Sequence, residues 1–409
     1  MYDWLELKLE QITPAFFGDA ENSAKIDGDL RTPALVAAWK RALMYIYYTT
    51  ASSEIKQRAQ NLLKQLPGKY SITLYDIKHK SFDFCKYADK IKEIRKNLYK
   101  WGYEKIKLDF RLGPLNACLQ NSCRGPVYLK KYSFRLAVYF SEELDKELVI
   151  KSWIYTFLFS GIGKISSKGF GRFRIKELSC SEQVEHDINK LFKGDINEIT
   201  KFLQSLGIRL EAASRDLKQE EGCLLDCLLV KEIPSKREFA NWEEWFVYYI
   251  AAACFSKLKS AWKIVNNIPV DSCGKKLHTF VLGLPRSAKC RDSPEIGGYI
   301  LIKNNHKIPA PRLLSQIKYC PFYVPEEGTA KLLLVVYPHA PKILEQLFDL
   351  GLYHCSCPDS KKNENRNRQN SKSTNQNPCQ PISKLLDNRF SAISQALEKI
   401  EKVVNHVWQ

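Results

Sequence analysis

The sequence predicts an α+β protein of 409 residues, in which helices cover one face of antiparallel sheets. Two kinds of pattern carry this prediction. In some segments apolar residues alternate with polar ones, as in half-buried strands, and in others they recur at three- and four-residue steps, as in amphipathic helices. A third observation is a glycine-rich segment that separates the last helix from the last strand of the amino-terminal half.

The first element is a strand at residues 4–12, where leucine alternates with charged side chains. A helix follows the polar, glycine-containing connection after this strand. Thr32 supplies the N-cap of the helix and Pro33 its first helical position. From there an apolar stripe extends through Trp39, which indicates that one face of the helix packs on a sheet.

The next elements are, in order, helices at about 53–66 and 84–101, strands at 106–112 and 132–140, a helix at 150–158 and a strand that begins at Phe173. With helical insertions, this order is β-α-β-β-α-β. It is the ferredoxin-like, or RRM-like, arrangement, in which the face of the sheet opposite the helices can meet a ligand.

The second half begins with helices, including a long apolar one at about 239–265, and continues with strands at "GGYILIK" and "KLLLVVYP". A helix is predicted at 341–350 and another at 382–407. Between them, residues 355–380 contain almost no apolar side chains and are predicted to form a flexible insertion. We therefore expect two ferredoxin-like domains, at residues 1–182 and 183–409.

The formal net charge of +18 favours an acidic partner, with nucleic acid ahead of a membrane surface, although a merely solvated positive surface stays open. The first residues lack the charged start, apolar core and cleavage site of a secretion signal, and the longest apolar stretch is too short to cross a bilayer. We expect a cytoplasmic protein without a membrane partner.

The thirteen cysteines are expected to be reduced and mostly buried. The nearest approach to a metal cluster is formed by His354, Cys355, Cys357 and, further along, Cys379. Because this set lacks a second well-spaced pair, we predict no metal site and no cofactor, and leave zinc binding by these cysteines as an open question.

The glycine-rich segment, "SGIGKISSKGFGRFRI" at residues 160–175, could bind a nucleotide or a polyanion such as RNA. A P-loop needs a glycine at position 158, which is Leu158, and a dinucleotide fingerprint needs one at position 166, which is Ser166. Both nucleotide interpretations therefore fail on spacing. A glycine-rich basic surface for a phosphate chain remains, with an ordinary solvated turn as its alternative.

In this interpretation the glycines let the backbone approach a phosphate chain and the basic side chains neutralise it. For Phe170, base stacking is possible, but inward packing is favoured, and Arg174 could equally be an ordinary residue of a strand face. The predicted RNA-binding residues are Arg31, Lys40, Arg41, Gly161, Gly163, Lys164, Lys168, Gly169, Phe170, Gly171, Arg172 and Arg174.

Two segments resemble the RAMP superfamily of CRISPR proteins, and within it the first subunit of the type III-B Cmr effector complex. One is "ITPAFFGDAENSAKIDGDLRTPALVAAWKRAL" at residues 12–43, and the other is "FSGIGKISSKGFGRFRI" with its Gly-Phe-Gly core. The chain departs from the family pattern at Ala37 and Ala38, where a glycine is usual, and at Ser167-Lys168, where a basic pair is usual.

The resemblance implies two ferredoxin-like domains and a non-catalytic subunit that holds the 3′ part of a CRISPR guide RNA and helps to capture complementary target RNA. Its partners would be these RNAs and the other Cmr subunits. Three alternatives stay open: a metal-independent RAMP endoribonuclease, another RAMP subunit of the complex, or an unrelated basic scaffold. The endoribonuclease is disfavoured, because histidines such as His79, His278 and His306 show no recognisable pairing.

Overall fold

The computed structural model describes residues 2–17, 30–100, 125–163, 166–213, 227–256, 263–265, 268–270, 288–289, 296–303, 306–309, 316–337, 352–355, 379–381 and 389–409. Within these ranges the protein is α+β, as predicted, with two four-stranded sheets and helices packed against them.

The first sheet contains strands β1 (Tyr2–Gln11), β2 (Tyr70–Asp83), β3 (Tyr128–Ser141) and β4 (Phe173–Cys180). Their order across the sheet is β2-β3-β1-β4, and all neighbours are antiparallel. The accompanying helices are α1 (Thr32–Thr49), α2 (Ser53–Gln65), α3 (Ala88–Lys100) and α4 (Lys146–Phe159), with a 3-10 turn at Phe84–Tyr87 before α3.

The sequence-based strand at 132–140 is confirmed within β3, which pairs with a strand that the sequence did not predict. The partner is β2, which precedes α3, whereas the predicted strand at 106–112 lies outside the described residues. The distal part of β2, from Asp76 to Ser81, is wholly exposed, so it carries no alternating apolar pattern. The start of α1 also shifts by one residue, since Arg31 is the N-cap and Thr32 is already helical.

The second sheet contains β5 (Arg209–Ala212), β6 (Cys227–Pro234), β12 (Ile317–Val324) and β13 (Thr329–Val336), in the order β12-β13-β6-β5. The first three neighbouring strands are antiparallel, while β5 pairs with β6 in parallel. The strand at the edge next to β6 is therefore β5, which precedes β6 in the chain. In the first sheet, the edge next to β1 is formed by β4, which is the last of the four strands in the chain.

The described helices of this half are α5 (Ile188–Lys193), α6 (Ile196–Gln204), α7 (Trp242–Phe255) and α8 (Arg389–Val407). The predicted long helix at 239–265 is too long, because α7 ends at Phe255 and residues 263–265 form a strand. The predicted helix at 341–350 lies outside the described residues.

The remaining strands are β7 (Lys263–Val265), β8 (Ile268–Val270), β9 (Ala288–Lys289), β10 (Ile296–Lys303), β11 (His306–Pro309), β14 (Leu352–Cys355) and β15 (Cys379–Pro381). Strands β9, β10, β11, β14 and β15 form a further sheet, and β7 pairs with β8. The residues at the two ends of the predicted insertion pair with each other, since Cys355 lies opposite Cys379 in the register of β14 and β15.

The core extends across both halves of the chain. In one cluster, side chains of β1, α1 and α4 pack with those of β6, β12 and β13, and the Trp39 and Trp153 rings stack with centroids 4.9 Å apart. In the other, α7 and α8 pack with Ile12, Phe16 and Phe170. The segments next to the end of β1 are thus buried at the junction of the two sheets. Among the described helices, none has the length and apolar content needed to cross a membrane.

Candidate nucleic-acid interface

The glycine loop, residues 160–172, packs against the segment that follows β1. The Thr13 hydroxyl donates a hydrogen bond to the Gly169 carbonyl oxygen (2.7 Å) and accepts one from the Arg172 backbone N–H (2.9 Å). The Gly171 N–H donates to the Pro14 carbonyl oxygen at 2.7 Å. The two segments that carry the family resemblance, far apart in the sequence, therefore form one hydrogen-bonded unit.

The glycines of this loop allow close packing inside the protein. Gly171 has φ +69° and a Cβ there would lie 1.9 Å from the Ile162 carbonyl oxygen. Gly169 has φ +71° and a Cβ there would lie 2.2 Å from the Tyr249 hydroxyl oxygen. Since both positions need a left-handed backbone and no side chain, the conformation of the loop explains these glycines without a ligand.

The remaining two glycines of the motif behave in the same way. A Cβ on Gly161 would lie 2.1 Å from the Phe170 carbonyl oxygen, and one on Gly163, at φ +97°, would lie 2.7 Å from the Phe16 carbonyl oxygen. Phe170 itself is buried between the rings of Phe16 and Tyr249, at centroid distances of 5.2 and 5.6 Å. Its position agrees with the favoured inward packing and leaves no face for a base.

The basic side chains of the loop also point to internal partners. Lys168 Nζ donates to the Tyr319 hydroxyl at 2.8 Å and lies 4.1 Å from the centroid of that ring. Arg172 is 1% exposed, and its Nη2 donates to the Leu158 carbonyl oxygen at the end of α4. Burial lowers the pKa of the Arg172 guanidinium. Lys164 lies outside the described residues.

Arg174, at the start of β4, is the centre of an ion-pair network. Its guanidinium donates to Glu10 on β1 (2.5 Å) and to Glu326, in the turn between β12 and β13 (2.8 Å). The hydrogen bond from Arg174 lowers the pKa of Glu326 well below its usual range. Arg174 therefore joins the two sheets. We leave Phe170, Arg172 and Arg174 out of the proposed RNA surface, because burial or ion pairing keeps them from a phosphate chain.

The three predicted cations of α1 and its N-cap have a different environment. Arg31 and Lys40 are exposed and form no ion pair with another described residue. Arg41 is half-buried, and this burial lowers its pKa. Exposed apolar side chains lie on the same helix, since Met44 and Tyr48 follow Lys40 at four-residue steps. This outer face of α1 combines positive charge with an aromatic ring, as surfaces for single-stranded RNA do.

Sequence reasoning missed a second pair of exposed cations, Lys78 and Lys80, on the edge strand β2. Here the pairing of β2 with β3 shifts between Tyr75 and Lys78, and Asp76 adopts φ 50°, which identifies a bulge. The signal in the sequence was the polar run "DIKHKS", which interrupts the alternation of apolar residues.

No group of three or more histidine, cysteine or carboxylate side chains that could hold a metal lies within the described part of the chain. Of the candidate zinc ligands, Cys357 lies outside that part, and only backbone placement is described for His354, Cys355 and Cys379. The question of zinc at these cysteines therefore stays open.

No family model matches the sequence, and no curated protein matches it. Among solved structures, a chain of the type III-B Cmr-β complex bound to cognate target RNA is 11% identical, covers 86% of this chain and 100% of its own, and has a TM-score of 0.44. A second structure of that complex, with target RNA, AMPPnP and single-stranded DNA, gives 12% identity, coverages of 85% and 99%, and a TM-score of 0.39.

Cmr1 from Pyrococcus furiosus, in its apo form, is 14% identical, with coverages of 82% and 89% and a TM-score of 0.36. All three of these structural neighbours are chains from Cmr structures. All three TM-scores lie below 0.5.

Proposed function

We propose that this chain is a non-catalytic RNA-binding subunit of a type III-B CRISPR (Cmr) effector complex. It lies at the 3′ end of the guide RNA and helps to admit and retain complementary target RNA. One observation carries the proposal: the two motifs that resemble the RAMP family, which lie apart in the sequence, pack as one unit through Thr13, Gly169 and Gly171. If the two segments resembled the RAMP family only by chance, there would be no reason for them to pack against each other in the fold.

The glycine loop in this proposal is a structural device, and the outer face of α1 makes the contact with RNA. Arg31, at the N-cap of α1, and Lys40, on the exposed face of the helix, have no carboxylate partner among the described residues and can neutralise phosphates. Lys78 and Lys80, on the edge of the first sheet, add positive charge. Contacts of this kind read the backbone, while base pairing between guide and target supplies the sequence.

The absence of catalysis is part of the proposal. His186 lies 3.4 Å from the Ser205 hydroxyl and 3.7 Å from Glu198, an arrangement that resembles a hydrolytic triad. However, Glu198 accepts the Asp187 backbone N–H, and Ser205 donates to the Phe202 carbonyl oxygen, so both side chains serve helix ends. Incubation of the purified protein with repeat RNA in EDTA tests the endoribonuclease alternative. Site-specific cleavage of the RNA would support that alternative.

The proposal is tested by co-purification. The tagged full chain, expressed in its native cell, is expected to bring down a set of CRISPR subunits and a short guide RNA. The double variant Arg31→Glu, Lys40→Glu should retain the subunits but lose most of the captured target RNA. Lys64→Glu, Lys96→Glu is the matched control, since both side chains are exposed on helices α2 and α3. Equal RNA recovery from the two double variants would refute the role of α1.

A further inference from the structure

The two faces of the first sheet have different environments. Leu5, Leu7 and Leu9 of β1 lie on one face, where they are buried with side chains of α1 and α4. Because successive residues of a strand alternate between the faces, the side chains from Trp4 to Glu10 that lie between these leucines belong to the other face. We call this second face, on the side of the sheet away from α1, the open face.

Three exposed aromatic side chains share one end of the open face. Tyr2 and Trp4 on β1 are 71% and 40% exposed, and Tyr139 on β3 is 49% exposed. Trp4 lies directly opposite Tyr139 in the register of β1 and β3, the two central strands of the sheet. Single exposed aromatic residues are common on protein surfaces, but a group of them on one patch indicates a surface that binds a ligand.

The positions of Trp4 and Tyr139 are suited to unpaired bases. Directly opposed side chains of neighbouring strands have Cβ atoms about 5 Å apart and stand roughly perpendicular to the sheet. In RRM-type sheets, aromatic side chains presented in this way stack two or three bases of a single strand. The adjoining positions of the open face hold the small side chains of Ser71, Thr73 and Ala137, which leave both rings accessible.

The bulge in β2 places two lysines on the same face. The pairing of β2 with β3 gains one residue between Tyr75 and Lys78. An extra residue reverses the side on which the following side chains lie. Lys78 and Lys80 therefore lie on the open face, whereas His79 lies on the opposite one, where its ring centroid is 5.8 Å from that of the buried Tyr132.

The charges of the open face favour a phosphate chain. Lys78 and Lys80 are exposed and form no ion pair with another described residue. The carboxylates on this face and at the bulge have cationic partners, which are Arg135 for Glu6 and Asp76, Lys8 for Glu177, and Lys131 for Glu10. The two lysines are thus available to an anion, on the same face as the exposed rings.

We propose that the open face binds an unpaired stretch of RNA, whose bases stack on Trp4 and Tyr139 and whose phosphates contact Lys78 and Lys80. The rings and the lysines are about 20 Å apart along β3, so one strand of a few nucleotides reaches both. Duplex RNA does not fit this site, because its bases are already stacked inside the helix. The choice of RNA rests on the function proposed above, to which the open face adds a contact separate from α1.

The test measures binding of fluorescent RNA oligonucleotides to the full chain by anisotropy. Trp4→Ala and Tyr139→Ala should each weaken binding of a short unstructured RNA about tenfold, because one stacked base is lost, and Trp4→Phe and Tyr139→Phe should retain most of the affinity. Tyr128→Ala is the matched control, since Tyr128 is 55% exposed at the start of β3. Binding of a duplex RNA should be the same in all these variants.

Salt dependence separates the rings from the lysines. Lys78→Gln, Lys80→Gln should make the slope of log affinity against log salt shallower by about 1.4, or 0.7 for each lost phosphate contact. The ring variants should leave this slope unchanged, because they remove no charge.

Two results would overturn the proposal: no measurable binding of single-stranded RNA by the unaltered chain, or undiminished binding by the double variant Trp4→Ala, Tyr139→Ala. If this double variant kept its RNA affinity but lost a Cmr subunit on co-purification, the open face would bind a protein instead. Co-purification of the unaltered chain tests the proposed function separately. Failure there would refute the Cmr assignment and leave a measured RNA contact at the open face intact.

Discussion

The glycine loop and the outer face of α1 contain the same kinds of basic side chain, and the structure places them in opposite environments. In the loop, Lys168 and Arg172 contact a tyrosine and a helix carbonyl, and the adjoining Arg174 pairs with two glutamates. On α1, Arg31 and Lys40 are exposed without an ion-pair partner among the described residues. A basic residue in the sequence therefore indicates an RNA surface only where its side chain forms no hydrogen bond or ion pair inside the protein.

The first way to test this comparison is to substitute a loop glycine. Gly171→Ala should destabilise the protein by about 3 kcal/mol. The alanine would be strained in the left-handed backbone conformation of this position, and its Cβ would clash with the Ile162 carbonyl oxygen. Gly68→Ala is the control, because Gly68 has φ +75° but open space around it, and about 1 kcal/mol is expected. The measurement is denaturant unfolding. If both variants lost the same stability, the loop would not be packed as described.

A smaller effect is expected at the ion-pair network that adjoins the loop. Arg174→Gln should cost about 2 kcal/mol, because Glu10 and Glu326 each lose their shared partner but keep a lysine, Lys131 or Lys176. Lys8→Gln, which breaks an exposed pair with Glu177, should cost about 0.5 kcal/mol or less. Equal costs in urea unfolding would mean that Arg174 is an ordinary surface residue.

The same network predicts a pH dependence. The pKa of Glu326 is lowered in the folded state by its hydrogen bond with Arg174, so the carboxylate stabilises the fold above its unfolded pKa of about 4.3. This contribution is lost as the pH falls through the lower folded pKa. Glu326→Gln should therefore destabilise the protein at neutral pH, and the difference from the unaltered protein should shrink in acid. A difference that stayed constant with pH would exclude this linkage.

The smallest effect on stability, and a clear effect on binding, is expected on α1. Arg31→Gln, Lys40→Gln should change the free energy of unfolding by about 0.5 kcal/mol at most, since both side chains are exposed. The slope of log affinity for single-stranded RNA against log salt should become shallower by about 1.4, or 0.7 for each lost phosphate contact. Lys64→Gln, Lys96→Gln should leave the slope unchanged. If the two double variants had the same slope of log affinity against log salt, α1 would not be part of the RNA-binding surface.

The sequence was sufficient for elements that have a strong apolar period. The alternating leucines of β1 and the stripe of α1 are buried as predicted, and residues 152–159 of α4 are buried on every side. The edge strand β2 was missed because its exposed distal half has no such period. Inward packing of Phe170 was favoured from the sequence, but the partners of Lys168 and Arg174 were not foreseen, since Tyr319 lies on β12 and Glu326 in the turn after it, far away in the sequence.

The bulge in β2 has a consequence for how this protein meets its own copies. A regular sheet edge offers its free backbone groups to any other extended chain, and colliding copies can join there into aggregates. In β2 the bulge at Asp76 disrupts the regular spacing of the free backbone groups, and the charges of Lys78 and Lys80 repel the β2 edge of another copy. The bulge and these two charges therefore disfavour edge-to-edge association between copies of this protein.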